Sequence, residues 1–143
     1  MKALKQDMFV TSALPILLLM MLVASSKAIF FDKKNVTIRN EIPGETINIQ
    51  CYSSEDNLGS HDLAYGASYS WHFRVNLWGT TKFWCDFTTK HGSGNYGVYT
   101  RNLDELCNGL FQWLVKENGL CLIMDALDDQ LYCQRWKKPP SLL

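Results

Sequence analysis

Residues 68–75 read Ser-Tyr-Ser-Trp-His-Phe-Arg-Val, a strict alternation of large apolar and polar side chains. In an extended chain this puts Tyr69, Trp71, Phe73 and Val75 on one side, and Ser70, His72 and Arg74 on the other. Only a β-strand collects those four apolar groups on a single face, so the segment commits the chain to a sheet with one buried side. The same period recurs along the sequence. Thr46–Cys51 aligns Ile47, Ile49 and Cys51, and Lys82–Phe87 aligns Phe83, Cys85 and Phe87. Val36–Asn40, Tyr96–Thr100, Phe111–Glu117, Leu120–Asp125 and Leu131–Trp136 complete the set.

Turn residues separate these runs: Ile42-Pro43-Gly44, Asn76-Leu-Trp-Gly79, His91-Gly-Ser-Gly94 and Asn118-Gly119. Asn-Gly between two apolar runs is the strongest short hairpin signal, and here it predicts a turn centred on that pair. About eight short antiparallel strands, each with one wet face, predict an all-β fold of two packed sheets, a β-sandwich. The only helical signal in this part of the chain is a brief turn within 103–110, ended by Asn108-Gly109.

The first residues have a different character. Lys2 and Lys5 precede an apolar run from Ala13 to Ala24, and Ser26-Lys27-Ala28 supplies the small residues that a signal peptidase reads. That run is shorter than the ~20 residues needed to span a bilayer. The expected organisation is a secretory signal peptide over 1–28, with Ala24 as a rival cleavage site, and one domain over 29–143. The mature protein is expected to be secreted and extracellular, with no membrane insertion after cleavage.

Five cysteines, at 51, 85, 107, 121 and 133, contain no Cys-x-x-Cys pair. Zinc and redox motifs are therefore disfavoured, and in a secreted chain disulfides are the default, each worth ~2–4 kcal/mol. Cys51, Cys85 and Cys133 share faces with Ile49, Phe83 and Leu131, which predicts that they point inward. Counting back from an Asn118-Gly119 turn sets Cys121 opposite Lys116 and outward, making it the candidate free thiol. The pairing expected on these grounds is Cys51–Cys133 and Cys85–Cys107. Asn35-Val36-Thr37 is a glycosylation sequon.

Composition excludes some classes. Formal net charge is zero and the basic residues form no stripe, so a nucleic-acid partner is not expected. His61-Asp62 near Ser53, Ser54 and Ser60 superficially suggests a small secreted hydrolase. Neighbours on an extended segment do not converge, however, and no nucleophile elbow or glycine-rich oxyanion loop accompanies them. His72 alternates outward and His91 lies in a glycine loop. The acidic groups around Asp56 and Asp128 lack calcium-loop spacing, so no metal or other cofactor is expected.

Within Cys51–Phe87, an acidic stretch Glu55-Asp-Asn-Leu-Gly59-Ser-His61-Asp-Leu63 is followed by the aromatic strand. Asn76-Leu-Trp-Gly79-Thr80-Thr81 and Phe83-Trp84-Cys85-Asp-Phe87 come next. This order resembles the plant self-incompatibility S1 family of small secreted proteins, departing from it at Asn57, where the family more often has aspartate. The resemblance implies a β-sandwich and a secreted, disulfide-bonded glycoprotein. It also implies a signalling ligand for a cell-surface receptor protein, with pollen–pistil recognition in the namesake case. The acidic segment Ser53–Leu63 is expected to be a loop joining two strands, plugged onto the core by Leu58 and Leu63. Asp56, Asp62 and His61 are its candidate recognition residues, because loops on a rigid sandwich carry most binding groups. Among the tryptophans only Trp78 and Trp84 fall outside regular packing positions. They support an alternative, a glycan- or wall-binding defence protein.

Overall fold

The computed structural model describes residues 14–20, which form a helix, and 33–140. The second stretch forms the folded domain. The expected cleavage site after Ala28 and its rival at Ala24 lie outside the described residues. No helix among those described is long and apolar enough to cross a membrane.

Nine strands make two sheets. They are β1 (Lys33–Asn40), β2 (Ile47–Tyr52), β3 (Asn57–Leu63), β4 (Ser68–Arg74), β5 (Phe83–Thr89), β6 (Gly92–Tyr99), β7 (Leu110–Lys116), β8 (Gly119–Met124) and β9 (Gln130–Arg135). One sheet has the order β4-β1-β7-β8-β9 and the other β3-β2-β5-β6. All pairings are antiparallel except β1 with β7, which run parallel. The chain also makes 3-10 turns at Arg101–Leu106 and Asp125–Leu127, the first overlapping the brief helical signal.

The inward residues of the alternating segments form the core: Val36, Ile38, Ile49, Cys51, Cys85, Phe87, Phe111, Trp113, Val115 and their neighbours. Aromatic rings knit the two sheets together. Phe73 of β4 meets Phe83 of β5 at 4.6 Å between centroids, and Tyr99 of β6 meets Phe111 of β7 edge-on at 5.1 Å. Such pairs contribute about 0.5–1.5 kcal/mol beyond the area they bury. Trp113 adds a hydrogen bond across the layers, its indole N–H donating to the Val98 carbonyl at 2.9 Å.

Three expectations about organisation are corrected. The acidic segment is not all loop. Asn57–Leu63 is a ninth strand that pairs with β2, leaving only Ser53–Asp56 as the connection. The glycine loop after His91 shrinks to a tight turn, because β6 begins at Gly92. The β7–β8 turn is centred on Glu117-Asn118, one residue earlier than Asn118-Gly119, since Lys116 pairs with Gly119. Gly119 belongs to the strand for a steric reason. Its φ is +150°, and a Cβ there would stand 1.9 Å from the Gln134 carbonyl oxygen of β9.

Strand adjacency decides the cysteines. Cys121 lies opposite Leu114, not Lys116, and directly across from Cys133 on β9, so Cys121–Cys133 is a disulfide. Cys51 on β2 lies opposite Cys85 on β5, and these two form the other bridge. The expected Cys51–Cys133 and Cys85–Cys107 bridges are therefore wrong. Cys133 is exposed on the outer side of its sheet, and pairing follows strand neighbours instead of shared faces. The free thiol is Cys107, not Cys121. It is 4% exposed, its Sγ 3.6 Å from the Ile123 carbonyl oxygen, and burial first, then Asp125, pushes its pKa up to about 11.

A buried amide ties the corner of the sandwich. Asn40, wholly inaccessible, donates from Nδ2 to the carbonyls of Glu45 (2.7 Å) and Leu63 (2.9 Å), and its Oδ1 accepts the Ile42 N–H at 2.9 Å. Asn40→Ala leaves three buried groups unpaired and should lower unfolding free energy by about 2–4 kcal/mol in a urea titration.

The disulfide assignment predicts that a non-reducing peptide map finds Cys51–Cys85 and Cys121–Cys133. The native thiol should resist alkylation at pH 8 and react once denatured. Since the Cys107 pKa is raised, its contribution to stability is complete below about pH 9 and is lost as pH climbs to about 11. Alkylation of folded protein should accelerate over that window.

Candidate recognition surface

The Cys51–Cys85 bridge stands at the ends of two strands whose continuations meet. β2 runs on into Ser53–Asp56, and the turn Asn76–Thr81 runs into β5. Both loops are held by their own side chains. The Ser53 N–H donates to the Asp56 carbonyl at 2.7 Å, and Ser53 Oγ accepts the Asp56 N–H at 3.0 Å. Asn76 Oδ1 accepts the Thr80 N–H at 2.9 Å, its Nδ2 donates to Thr80 Oγ1 at 2.8 Å, and its own N–H donates to Thr81 Oγ1 at 2.9 Å. The turn needs Gly79, whose φ is +66° and whose missing Cβ would lie 3.0 Å from the Arg101 guanidinium.

Together the loops line a cleft of about 170 Å³, with Ser53, Glu55 and Asp56 from one and Asn76, Thr80 and Thr81 from the other. Lys82 and Arg74 also border it, so carboxylates and cations face one small space. Beside it the rigid turn displays Trp78, 83% exposed, and Leu77, 55% exposed.

The sequence candidates do not cluster. Asp56 is on this cleft. His61 and Asp62 lie on β3 and project to opposite faces, as strand neighbours must. His61 stacks on Tyr69 with centroids 3.8 Å apart, and its Nε2 donates to the Leu58 carbonyl at 2.8 Å. Asp62 faces outward and accepts from Asn48 Nδ2 at 2.8 Å. Both its immediate contacts and its orientation make His61 a clamp between the sheets. Trp78 and Trp84 do not pair either, since Trp84 is on the outer face of β5, stacked with Tyr52. Asn35 is half-buried on the outer face of β1, where its Oδ1 accepts from Thr37 and Ser70 hydroxyls. His91 leaves its turn to meet buried Glu45, Nδ1 to Oε2 3.0 Å, while the Lys90 N–H donates to the other carboxylate oxygen. Asn76, Thr80 and Thr81 were legible as a turn, but their apposition to the acidic loop depends on β2 pairing with β5.

A larger hollow of about 560 Å³ lies between the β7–β8 turn and the Cys121–Cys133 bridge, bordered by Glu41, Glu117, Lys116 and Arg135. Its charges are of both signs and its walls open to solvent. Among the described residues no three His, Cys, Asp or Glu side chains gather to hold a metal ion.

This architecture defines a small disulfide-bonded β-sandwich domain with two apposed loops at one end. The chain belongs to the plant self-incompatibility protein S1 family, whose sequence profile matches residues 35–136. It is 32% identical over 103 residues to S-protein homolog 5 of Arabidopsis thaliana, covering 71% of this chain and 77% of that protein. S-protein homolog 74 of the same plant is 32% identical over 106 residues, covering 71% and 70%. S-protein homolog 2 is 26% identical over 122 residues, covering 80% and 76%.

Two substitutions separate clamp from surface. His61→Ala removes a ring contact and a hydrogen bond and should cost about 1–2 kcal/mol of stability. Asp62→Ala, on the wet face, should stay within about 0.5 kcal/mol of wild type in the same urea titration.

Proposed function

We propose that the domain is a secreted extracellular protein ligand that binds a cell-surface receptor through the surface formed by Ser53–Asp56 and Asn76–Thr81. The supporting observation is the display of Trp78 on a turn locked by Asn76. A large aromatic side chain held exposed at little conformational cost is what interface hot spots require. The mixed charges of Glu55, Asp56 and Lys82 beside it supply orientation and selectivity more than raw affinity.

Family membership is consistent with this reading, and pollen–pistil recognition is the namesake case of the family. Two disulfides and an apolar leader with a processing signal accord with export. On this reading the protein acts by binding and performs no chemistry of its own. Glycosylation at Asn35 would extend from the outer face of the five-stranded sheet.

The test is competition binding of labelled protein to plant protoplasts and pollen tubes, with unlabelled protein as competitor. Wild type should bind saturably. Trp78→Ala should weaken binding by about 30-fold or more, the hot-spot range, with an unchanged thermal midpoint. Asp56→Lys should also weaken it at unchanged stability. Full binding by both variants would show that another surface is used.

A further inference from the structure

The outer face of the four-stranded sheet carries a second arrangement that the receptor reading does not use. On one rung Tyr52 of β2 and Trp84 of β5 stack, with centroids 6.1 Å apart and planes 29° from parallel. The next strand, β6, contributes Gly97 opposite Trp84, so on that flank the indole lies over a residue without a side chain, with only the Thr100 methyl beside it. On the adjacent rung Gln50, Asp86 and Asn95 stand side by side.

Their hydrogen bonds leave acceptors outward. Asn95 uses both amide protons inside the protein, donating to Tyr52 Oη and to Asp86 Oδ1, each at 2.8 Å. Tyr52 oxygen is thus an acceptor in that bond, which leaves its own proton available to donate. The second Asp86 oxygen and the Asn95 side-chain Oδ1 keep acceptor capacity. Asn48 repeats the device one rung further, its Nδ2 donating to Asp62 Oδ1 at 2.8 Å and Ser60 Oγ at 2.7 Å. Two amide–carboxylate couples therefore bracket exposed Gln50 and hold their free oxygens in place.

A rigid acceptor surface beside an aromatic pair matches a ligand that is rich in hydroxyl donors and has an apolar C–H face. The local charge selects further. Lys137 and Lys138 border the same hollow of about 340 Å³ as Asp86 and Asn95, and Lys137 Nζ donates to the Asn95 backbone carbonyl at 2.5 Å. Cations offset the carboxylate, so neither a polyanion nor a polycation is favoured. The hollow falls in the ordinary range of small-ligand sites, ~300–1,000 Å³.

We propose that this face binds a neutral oligosaccharide, stacked on Tyr52 and Trp84 with its hydroxyls bonded to Gln50, Asp86 and Asn95. The site shares no residue with the loop surface, so either assignment can fail alone. The test is a titration of the ¹⁵N-labelled secreted protein, followed by NMR, with β-1,4-linked hexasaccharides of glucose, xylose and mannose up to about 10 mM, near the weak end of specific binding.

At least one sugar should shift the Trp84 indole and the Gln50 and Asn95 amide signals saturably. Trp84→Ala and Gln50→Ala should each weaken that binding by about tenfold or more, whereas Trp78→Ala leaves it intact. Gln50 is exposed on the outer face of β2, so its variant guards against a misfolded Trp84→Ala. No saturable shift with any of the three sugars overturns the proposal. So does a response confined to oligogalacturonate or to an oligolysine peptide, which would make the face an ionic docking site.

Discussion

The pairing of β2 with β5 through Cys51 and Cys85 is the constraint on which the rest of this domain depends. It lies near the end of the two central strands of the four-stranded sheet, wholly buried on its inner side. Strand side chains alternate, so a slip of one residue would turn Ile49 and Phe87 out to water and bring Gln50 and Asp86 into the core. The covalent bond forbids that slip. By fixing the ends of both strands it also decides that the acidic connection and the Asn76 turn emerge next to each other. The proposed recognition surface, drawn from residues 53–56 and 76–82, depends on that rung being closed.

Polar groups complete what the apolar core begins. Asn40 satisfies three backbone groups where β1, the β1–β2 connection and β3 meet. Lys34 reaches Asp104 at 3.2 Å, and the Tyr99 hydroxyl donates to the same carboxylate at 2.9 Å. Burying an ion pair seldom adds net stability, because desolvation offsets the attraction. Its role here is positional, as it anchors the Arg101–Leu106 turn to β1. Tyr96 acts similarly at the opposite edge, donating to the Arg135 carbonyl at 2.7 Å and accepting the Lys137 N–H at 2.8 Å, while burial pushes its pKa up.

What the sequence made legible follows from how each element is stabilised. β2, β4 and β5 alternate strictly, and their inner residues are found where alternation puts them. β3 was invisible as a strand because Asn-Leu-Gly-Ser-His-Asp-Leu has neither β-branched nor aromatic residues. It is a strand by virtue of pairing with β2, a tertiary effect that outweighs weak propensity. The Asn-Gly signal misplaced its turn by one residue, since Gly119 answers to the close approach of β9 and not to the turn. That small error left Cys121 on the correct outer face; the disulfides were missed because Cys133 was set inward, while it faces outward across from Cys121. Alternation reveals which face a cysteine occupies, but not which strand lies beside it. For the same reason Asp56 could be named as a surface residue, whereas its apposition to Thr80 and Thr81, and the Tyr52–Trp84 stack, required the strand order.

The claim that the two loops act as one surface has a direct test. Hydrogen exchange of the protein, free and bound to receptor-bearing plant membranes, would map the footprint. Joint slowing at 53–56 and 76–82, with the outer face of the five-stranded sheet unaffected, is the predicted result. Protection of one loop without the other, or protection centred on β7–β9, would contradict it.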